Sequence, residues 1–202
     1  VGIAHVAEGH IFLNGEGITH KSIRERALAG ISYIPEDRQE RGLEMDFSLA
    51  ENLGLKSYFE EPFSKKGIMN KDAFDTYGEK LIGEYDIRSG QGIRTIVRSM
   101  SGGNQQKAII AREIERDSSL CIFVQPTRGL DIGAIENIHR QIIAERDKGH
   151  AILLISLELD EVMNLADTIG VIYSGELLKI ADAKTLTPHE VGEFMMGVKQ
   201  HG

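Results

Sequence analysis

Two five-residue apolar runs, Leu120–Val124 and Ala151–Ile155, most constrain how this chain of 202 residues can fold. Each run has the length of a buried β-strand and falls far short of the roughly 18 apolar residues of a membrane-spanning helix. Between them, Ile135, Ile138 and Ile142 recur at the spacing of one helical face. A strand, a helix and a second strand in this order predict a mainly parallel sheet covered by helices. We therefore expect an α/β fold.

Residues 1–46 are predicted to contain short strands and one short helix. The strands are expected at 1–4, 10–13 and 31–34, and the helix at 22–28. Asn14-Gly15 is typical of a tight turn after the second strand, and Pro35 ends the third. This part of the chain is expected to join the α/β core to a small antiparallel part.

The pattern becomes helical in 47–100. Ser48 and Asn70 are suited to begin helices, because their side-chain oxygens accept hydrogen bonds from the first helical turn. No strand-like run interrupts this section, so we predict an inserted helical subdomain. In 101–202 strands and helices alternate again, and Ser174-Gly175 indicates a C-terminal hairpin.

Charge and cysteine content narrow the class of protein. The net charge is −8 and no block of Lys and Arg occurs, which argues against nucleic acid as a partner. The single cysteine, Cys121, cannot form an internal disulfide, and we expect a buried, inert thiol in a reducing compartment. The chain begins at Val1 without the features of a signal peptide, so we expect a fragment of a longer protein.

The segment MSGGNQQKAIIAREI, residues 100–114, is the most informative motif. Gly102 and Gly103 follow Ser101 at the start of a predicted helix, where free backbone N–H groups and a hydroxyl can bind an anion such as phosphate. Taken alone, the motif is more typical of a flexible loop before an ordinary helix. The segments that follow it, QPTRGLD and LLISLELDEV, narrow the choice.

Together with PEDRQERGL at 35–43, these ordered segments resemble the ATP-binding cassette of ABC transporters. The resemblance is greatest to the second cassette of the duplicated ATPases that serve sugar and nucleoside importers. It implies an ABC-ATPase nucleotide-binding domain with a mainly parallel sheet, an inserted helical subdomain and a small antiparallel part. It also implies a peripheral protein on the cytoplasmic face of the membrane.

The family's site residues are transferred to this chain position by position. The signature motif, which in the family contacts the γ-phosphate of an ATP held by the opposite cassette, is matched by Ser101, Gly102, Gly103, Asn104 and Gln105. Asp131 matches the aspartate of the loop that lies across the dimer interface. Glu36 falls where many cassettes have a glutamine that links the nucleotide to the permease. The subdomain 47–100 matches the part that docks on the permease.

The resemblance also implies the cofactors and partners. ATP and Mg²⁺ are expected in a composite site shared with a partner cassette, which is expected to be fused upstream. The transmembrane permease is expected to be a direct partner, and the solute-binding protein an indirect one.

Several departures from the family indicate that this half has lost its own chemistry. Val124 and Gln125 stand where the two acids end the strand, and Leu157 stands where the switch histidine is expected. No G-x-x-x-x-G-K-[ST] loop occurs, and the residues expected between Ala4 and His5 are either deleted or left out. We therefore expect no catalytic residue and no metal ligand in this chain, which alone is expected to be inactive.

Two other interpretations remain open at this stage. The ATPase heads of DNA-repair and chromosome-structure proteins also use a Ser-Gly-Gly signature, but they carry long coiled-coil heptads and basic surfaces that this chain lacks. The other is a catalytically inactive interaction module that keeps only the fold.

Overall fold

The computed structural model describes residues 1–198, which form two compact units, 1–153 and the part from Leu154 onward. The β-strands are β1 (Phe12–Leu13), β2 (Glu16–Gly17), β3 (Ile31–Ile34), β4 (Ser64–Lys65), β5 (Ile68–Met69), β6 (Leu120–Val124), β7 (Ala151–Ile155), β8 (Thr168–Tyr173) and β9 (Glu176–Asp182). The α-helices are α1 (Ile23–Leu28), α2 (Leu49–Gly54), α3 (Lys71–Glu84), α4 (Gly102–Ile114), α5 (Ile132–Asp147), α6 (Leu159–Leu165) and α7 (Pro188–Met195).

A three-stranded sheet of order β3-β6-β7 forms the centre of the α/β architecture. Strands β3 and β6 run parallel, with Ile31 opposite Leu120 and Ile34 opposite Phe123. Ile34 and Phe123 are fully buried, as expected for strands covered on both faces. The predicted α/β class with a parallel sheet is confirmed, and the parallel pairing is seen between β3 and β6.

Three small hairpins accompany the central sheet, and all are antiparallel. Each turn places a residue and a following glycine at positive φ, the backbone that two-residue hairpin turns require. The turn pairs are Asn14-Gly15, Lys66-Gly67 and Ser174-Gly175. The first and third were expected. The second, between β4 and β5, shows that the prediction of an uninterrupted helical section at 47–100 was wrong.

The N-terminal strand predicted at 1–4 is also not present. Gly2 has a φ of +98°, which is incompatible with a regular strand, and residues 1–4 are irregular. The side chain of Val1 nevertheless packs against the apolar cluster of Ile18, Ile31 and Ile122. The segment therefore contributes apolar contact without pairing in the sheet.

Capping fixes where several helices begin. Capping boxes, in which a Ser or Thr and a Glu three residues later exchange hydrogen bonds with the backbone, start α1, α2 and α7 at Ser22, Ser48 and Thr187. Asn70 caps α3, as predicted. Helix α7 was not predicted; in the second unit Val191 and Phe194 pack with Ile169 and Val171 of β8.

Helix α4 is anchored in the first unit on its buried face. Ile109 and Ile110 are almost fully buried, and so are Arg112 and Glu113. Arg112 Nε donates to Glu113 Oε1 at 3.0 Å, and Arg112 Nη2 donates to the carbonyl of Gly42 at 2.8 Å. These contacts hold the C-terminal part of α4 against the segment after β3.

The 47–100 segment contains α2, the β4–β5 hairpin and α3. That this segment is a separate subdomain with these boundaries remains a prediction. Of the third predicted region, 101–202, residues 199–202 lie outside the described part. None of the helices in residues 1–198 is long and apolar enough to span a bilayer.

A candidate phosphate-binding site at the start of helix α4

The N-terminal end of α4 is open at the protein surface. Ser101 is the N-cap residue, with extended backbone (φ −65°, ψ 152°), and its side chain is exposed. Its hydroxyl makes no capping hydrogen bond to the helix. The first backbone N–H groups of a helix have no partner within the helix. Those of Gly102 and Gly103 are therefore available to an anion from outside.

Asn104 holds the signature segment in shape. Its Nδ2 donates to Ser101 Oγ at 2.9 Å, and its Oδ1 accepts from the backbone N–H of Arg88 at 2.8 Å. The hydroxyl of Ser101 is thereby oriented, because the amide donates to it and leaves its own proton free to point outward.

Gln105 lies inside the protein, where it is 1% exposed. Its Nε2 donates to the carbonyl of Val97 at 2.9 Å, while no partner for its buried Oε1 is seen among residues 1–198. Of the five predicted signature residues, it is the one placed beneath the open surface.

Arg38 reaches the same helix start from a π-helical turn, Arg38–Gly42, that follows β3. A Cβ added to Gly102 would lie 3.0 Å from Arg38 Nη2 and 3.3 Å from Cζ. Arg38 Nη1 donates to the carbonyl of Arg128 at 3.1 Å. The guanidinium group thus places a positive charge beside the positive end of the helix. Arg38 lies within the PEDRQERGL segment, but its sequence context predicts no role for it.

Asp131 is the second loop residue that the structure brings to this site. It caps α5, with Oδ1 accepting from the N–H of Ala134 at 3.0 Å, and it is exposed. Its Oδ2 lies 3.9 Å from where a Cβ of Gly103 would be. The signature glycines, Arg38 and the PTRGLD turn therefore form one surface.

Glu36 is placed at the end of β3, with both carboxylate oxygens paired. Oε1 lies 3.2 Å from Arg41 Nη1, and Oε2 accepts from the Tyr33 hydroxyl at 3.1 Å. Burial, followed by the nearby Glu36 carboxylate, raises the pKa of Tyr33, so the phenol keeps its proton and donates it to Glu36.

The end of β6 is not suited to hold a metal ion. Val124 packs against the cluster of Ile18, Ile31 and Ile122, and Gln125 has a positive φ of 50°. Neither side chain can supply the carboxylate that Mg²⁺ prefers. The residues of this chain therefore fit a phosphate group at α4 and do not fit Mg²⁺ at β6.

In the second unit, Leu157 stands where the switch histidine was expected. Its side chain is 73% exposed and carries no ionisable group.

Solved structures identify the fold. A nucleotide-free ATP-binding cassette of an ABC transporter superposes with a TM-score of 0.72 and 20% identity, covering 98% of this chain and 76% of that one. The dimeric, post-hydrolysis ATP-binding cassette MJ0796, bound to ADP and Pi, gives a TM-score of 0.70 and 16% identity, covering 88% and 74%. The chain has the fold of an ATP-binding cassette.

Sequence comparison identifies the relatives more narrowly, although no family model matches the chain. The guanosine import ATP-binding protein NupO of Bacillus subtilis is 44% identical over 98% of this chain. The nucleoside import ATP-binding protein NupA of Lactococcus lactis is 43% identical over 97%, and a ribose import ATP-binding protein of Oceanobacillus iheyensis is 35% identical over 99%. The homologues of this cassette are thus ATP-binding proteins of nucleoside and sugar importers. The chain spans only 39%, 38% and 40% of the lengths of these three relatives.

Proposed function

We propose that this chain is the non-catalytic half of an ATP-binding cassette pair in an importer for nucleosides or simple sugars. It supplies the signature surface at α4 to an ATP held by a partner cassette. The observation that carries the proposal is the open start of α4, flanked by Arg38 and Asp131, in a chain whose β6 ends in Val124 and Gln125.

The chemistry of this surface suits binding of a phosphate group and closure of the cassette pair around ATP. Backbone N–H groups and a guanidinium can neutralise part of the charge on a terminal phosphate without taking part in bond breaking. Ser101, Gly102 and Gly103 would face the phosphate, and Asn104 would orient Ser101. Gln105 would act as a positioning residue beneath this surface, because its hydrogen bond to the carbonyl of Val97 holds the start of α4 in place.

On the partner's side, ATP supplies the free energy for closure, and Mg²⁺ is held by the partner's own acids. In this chain the strand end has no carboxylate for the metal and no base for the attacking water. The segment alone therefore does not turn over ATP.

The nucleoside and sugar class is supported by the import functions for which the relatives are named, and nucleosides are favoured by the identities of 44% and 43% to the two nucleoside importer proteins. The second position of a duplicated pair, with a partner cassette upstream on the same polypeptide, is proposed from the resemblance of the signature, PEDRQERGL and PTRGLD segments to second cassettes. The segment 47–100 would dock on the transmembrane permease at the cytoplasmic face of the membrane, and the solute-binding protein would act through the permease.

The test is Ser101→Arg in the assembled transporter, reconstituted in proteoliposomes. An arginine side chain at this exposed position would fill the space of the phosphate, so both uptake and ATPase activity should be lost, although the partner's residues are unchanged. Ala144→Arg adds the same side chain on an exposed part of α5 and is the matched control. Thermal melts of both variants check folding.

The second candidate is a catalytically inactive interaction module that keeps only the fold. If Ser101→Arg leaves uptake and ATPase activity at the level of the control, this second function replaces the proposed one.

A further inference from the structure

A cluster of metal-ligand side chains lies at the other end of β6 from Val124, outside the surface described above. Cys121 is in β6, Glu145 is in the last part of α5, and His150 comes just before β7. One ligand atom from each of these three residues lies within 4.8 Å of the others. We propose that these three residues form a zinc-binding site, a function separate from nucleotide binding.

The geometry around His150 is that of a metal ligand supported by a carboxylate. Its Nδ1 lies 2.8 Å from Glu145 Oε2, on the side of the cluster. Its other ring nitrogen, Nε2, lies 3.2 Å from Asp117 Oδ1. Histidine ligands of metals almost always donate their second N–H to such a partner, which fixes the tautomer and the ring orientation.

Glu145 is also held in place by a partner on its other oxygen. Lys148 Nζ lies 2.6 Å from Oε1, so the ammonium group pairs with one oxygen and Oε2 remains directed toward His150. A carboxylate that is only 2% exposed is costly to bury without compensation. A divalent cation between Glu145, His150 and Cys121 would add to the compensation that Lys148 provides.

The donor set selects the metal. A thiolate, an imidazole and a carboxylate are ligands of Zn²⁺, and three protein ligands leave a fourth tetrahedral position for water. Cys121 is fully buried, while the His150 side chain is 16% exposed and provides the route of entry.

Binding exchanges a proton for the metal. Burial raises the pKa of the Cys121 thiol to about 11, so the empty site holds a neutral thiol. Zn²⁺ takes the place of the thiol proton. That proton leaves to solvent, and no oxidation occurs.

The test uses Co²⁺ as a spectroscopic probe on the purified chain, first freed of metal with a chelator. One equivalent of Co²⁺ should give a thiolate-to-cobalt charge-transfer band together with the visible bands of a four-coordinate ion. Zn²⁺ should abolish these bands and raise the Tm. Since Cys121 is the only cysteine, the charge-transfer band can come from no other residue of the chain.

Variants assign the remaining ligands. Cys121→Ser should lose the charge-transfer band, and His150→Gln and Glu145→Gln should each weaken Co²⁺ binding by at least about tenfold. Asp117→Asn, an exposed change that leaves the ligands intact, should weaken it by about tenfold through His150. His20→Gln removes an exposed imidazole elsewhere and should change nothing.

If folded wild-type chain gives no charge-transfer band and no rise in Tm with excess metal, the cluster is only a hydrogen-bonded network and the proposal is wrong. If the band persists with unchanged affinity in His150→Gln, the assignment of His150 is overturned. Neither readout depends on ATP or on a partner cassette, so failure here is independent of the proposed function.

Discussion

At the scale of a single residue, Gly102 shows how a neighbouring side chain of the same protein limits which residue fits at the start of α4. A Cβ at this position would lie only 3.0 Å from the guanidinium of Arg38, which also donates to the carbonyl of Arg128. The missing side chain therefore has a steric cause inside this protein, in addition to any approach of a phosphate. Arg38 links the segment after β3, the start of α4 and the PTRGLD turn.

We predict that Gly102→Ala destabilises the wild-type chain and that the effect is much smaller in an Arg38→Ala background. The alanine Cβ would meet Arg38 Nη2 at 3.0 Å, so the guanidinium must shift by a few tenths of an ångström and strain its bond to the carbonyl of Arg128. Urea unfolding of the four chains of the double-mutant cycle should give a coupling free energy of about 0.5–1 kcal/mol. Additive effects would show that Arg38 does not constrain Gly102.

The buried ion pair between Arg112 and Glu113 gives the second prediction. Both side chains are at most 3% exposed, and Arg112 also donates to Gly42. Arg112→Met should lower the free energy of unfolding by about 3–5 kcal/mol, because it leaves the Glu113 carboxylate buried without its main partner. The double variant Arg112→Met with Glu113→Gln should lose clearly less. Chemical denaturation measures both, and equal losses would contradict this account.

At the scale of elements, the capping box of α2 couples stability to pH. Glu51 accepts from the side chain and the backbone N–H of Ser48, and these hydrogen bonds hold the pKa of Glu51 below its ordinary value of 4.5. The carboxylate therefore stabilises the folded state fully above about pH 4.5. This contribution is lost as the pH falls through the lowered pKa.

Glu51→Gln tests this dependence. Wild type should be more stable than the variant by about 0.5 kcal/mol at pH 7, and the difference should shrink toward zero below pH 4. The measurement is urea unfolding across this pH range. Glu79→Gln, on the exposed side of α3, controls for removing a carboxylate outside a cap. A difference that does not change with pH would show that the Glu51 charge has no part in stabilising α2.

Elements with strong local signals could be predicted from the sequence, and those fixed by tertiary contacts could not. Strand β6 was predicted from the length of its apolar run, and helix α5 from the helical spacing of its isoleucines. The β4–β5 hairpin was missed because its strands have two residues each, although Lys66-Gly67 was a usable turn signal. Helix α7 was missed despite the capping signal T-P-H-E at 187–190.

The candidate site shows the same division. Ser101 and the two glycines are recognisable as a helix start, because serine and glycine are favoured residue types at the N-terminal end of a helix. The position of Arg38 is not readable from the chain, because it depends on a π-helical turn capped by Asp37 and on contacts with residues 64 and 90 positions away. The burial of Gln105 likewise depends on its tertiary bond to Val97.

At the scale of the whole molecule, the proposed lack of ATP hydrolysis has two separate causes. The acids are absent at the end of β6, and the phosphate-binding loop is absent from the sequence. Restoring the two acids by Val124→Asp and Gln125→Glu should not give ATP hydrolysis in this chain, because no G-x-x-x-x-G-K-[ST] segment is present to hold the phosphates. Phosphate release by the purified double variant should equal the wild-type background. Vanadate-sensitive release from either chain would contradict the assignment of a non-catalytic half.

The central claim is that this chain completes an ATP site whose catalytic residues belong to a partner cassette. Trapping of nucleotide by vanadate in the assembled transporter, with a photoreactive ATP analogue, tests it most directly. The account predicts one trapped ADP per pair of cassettes, labelled on the partner's segment and abolished by Ser101→Arg in this chain. Label on this chain's own segment, or trapping that persists in Ser101→Arg, would contradict it.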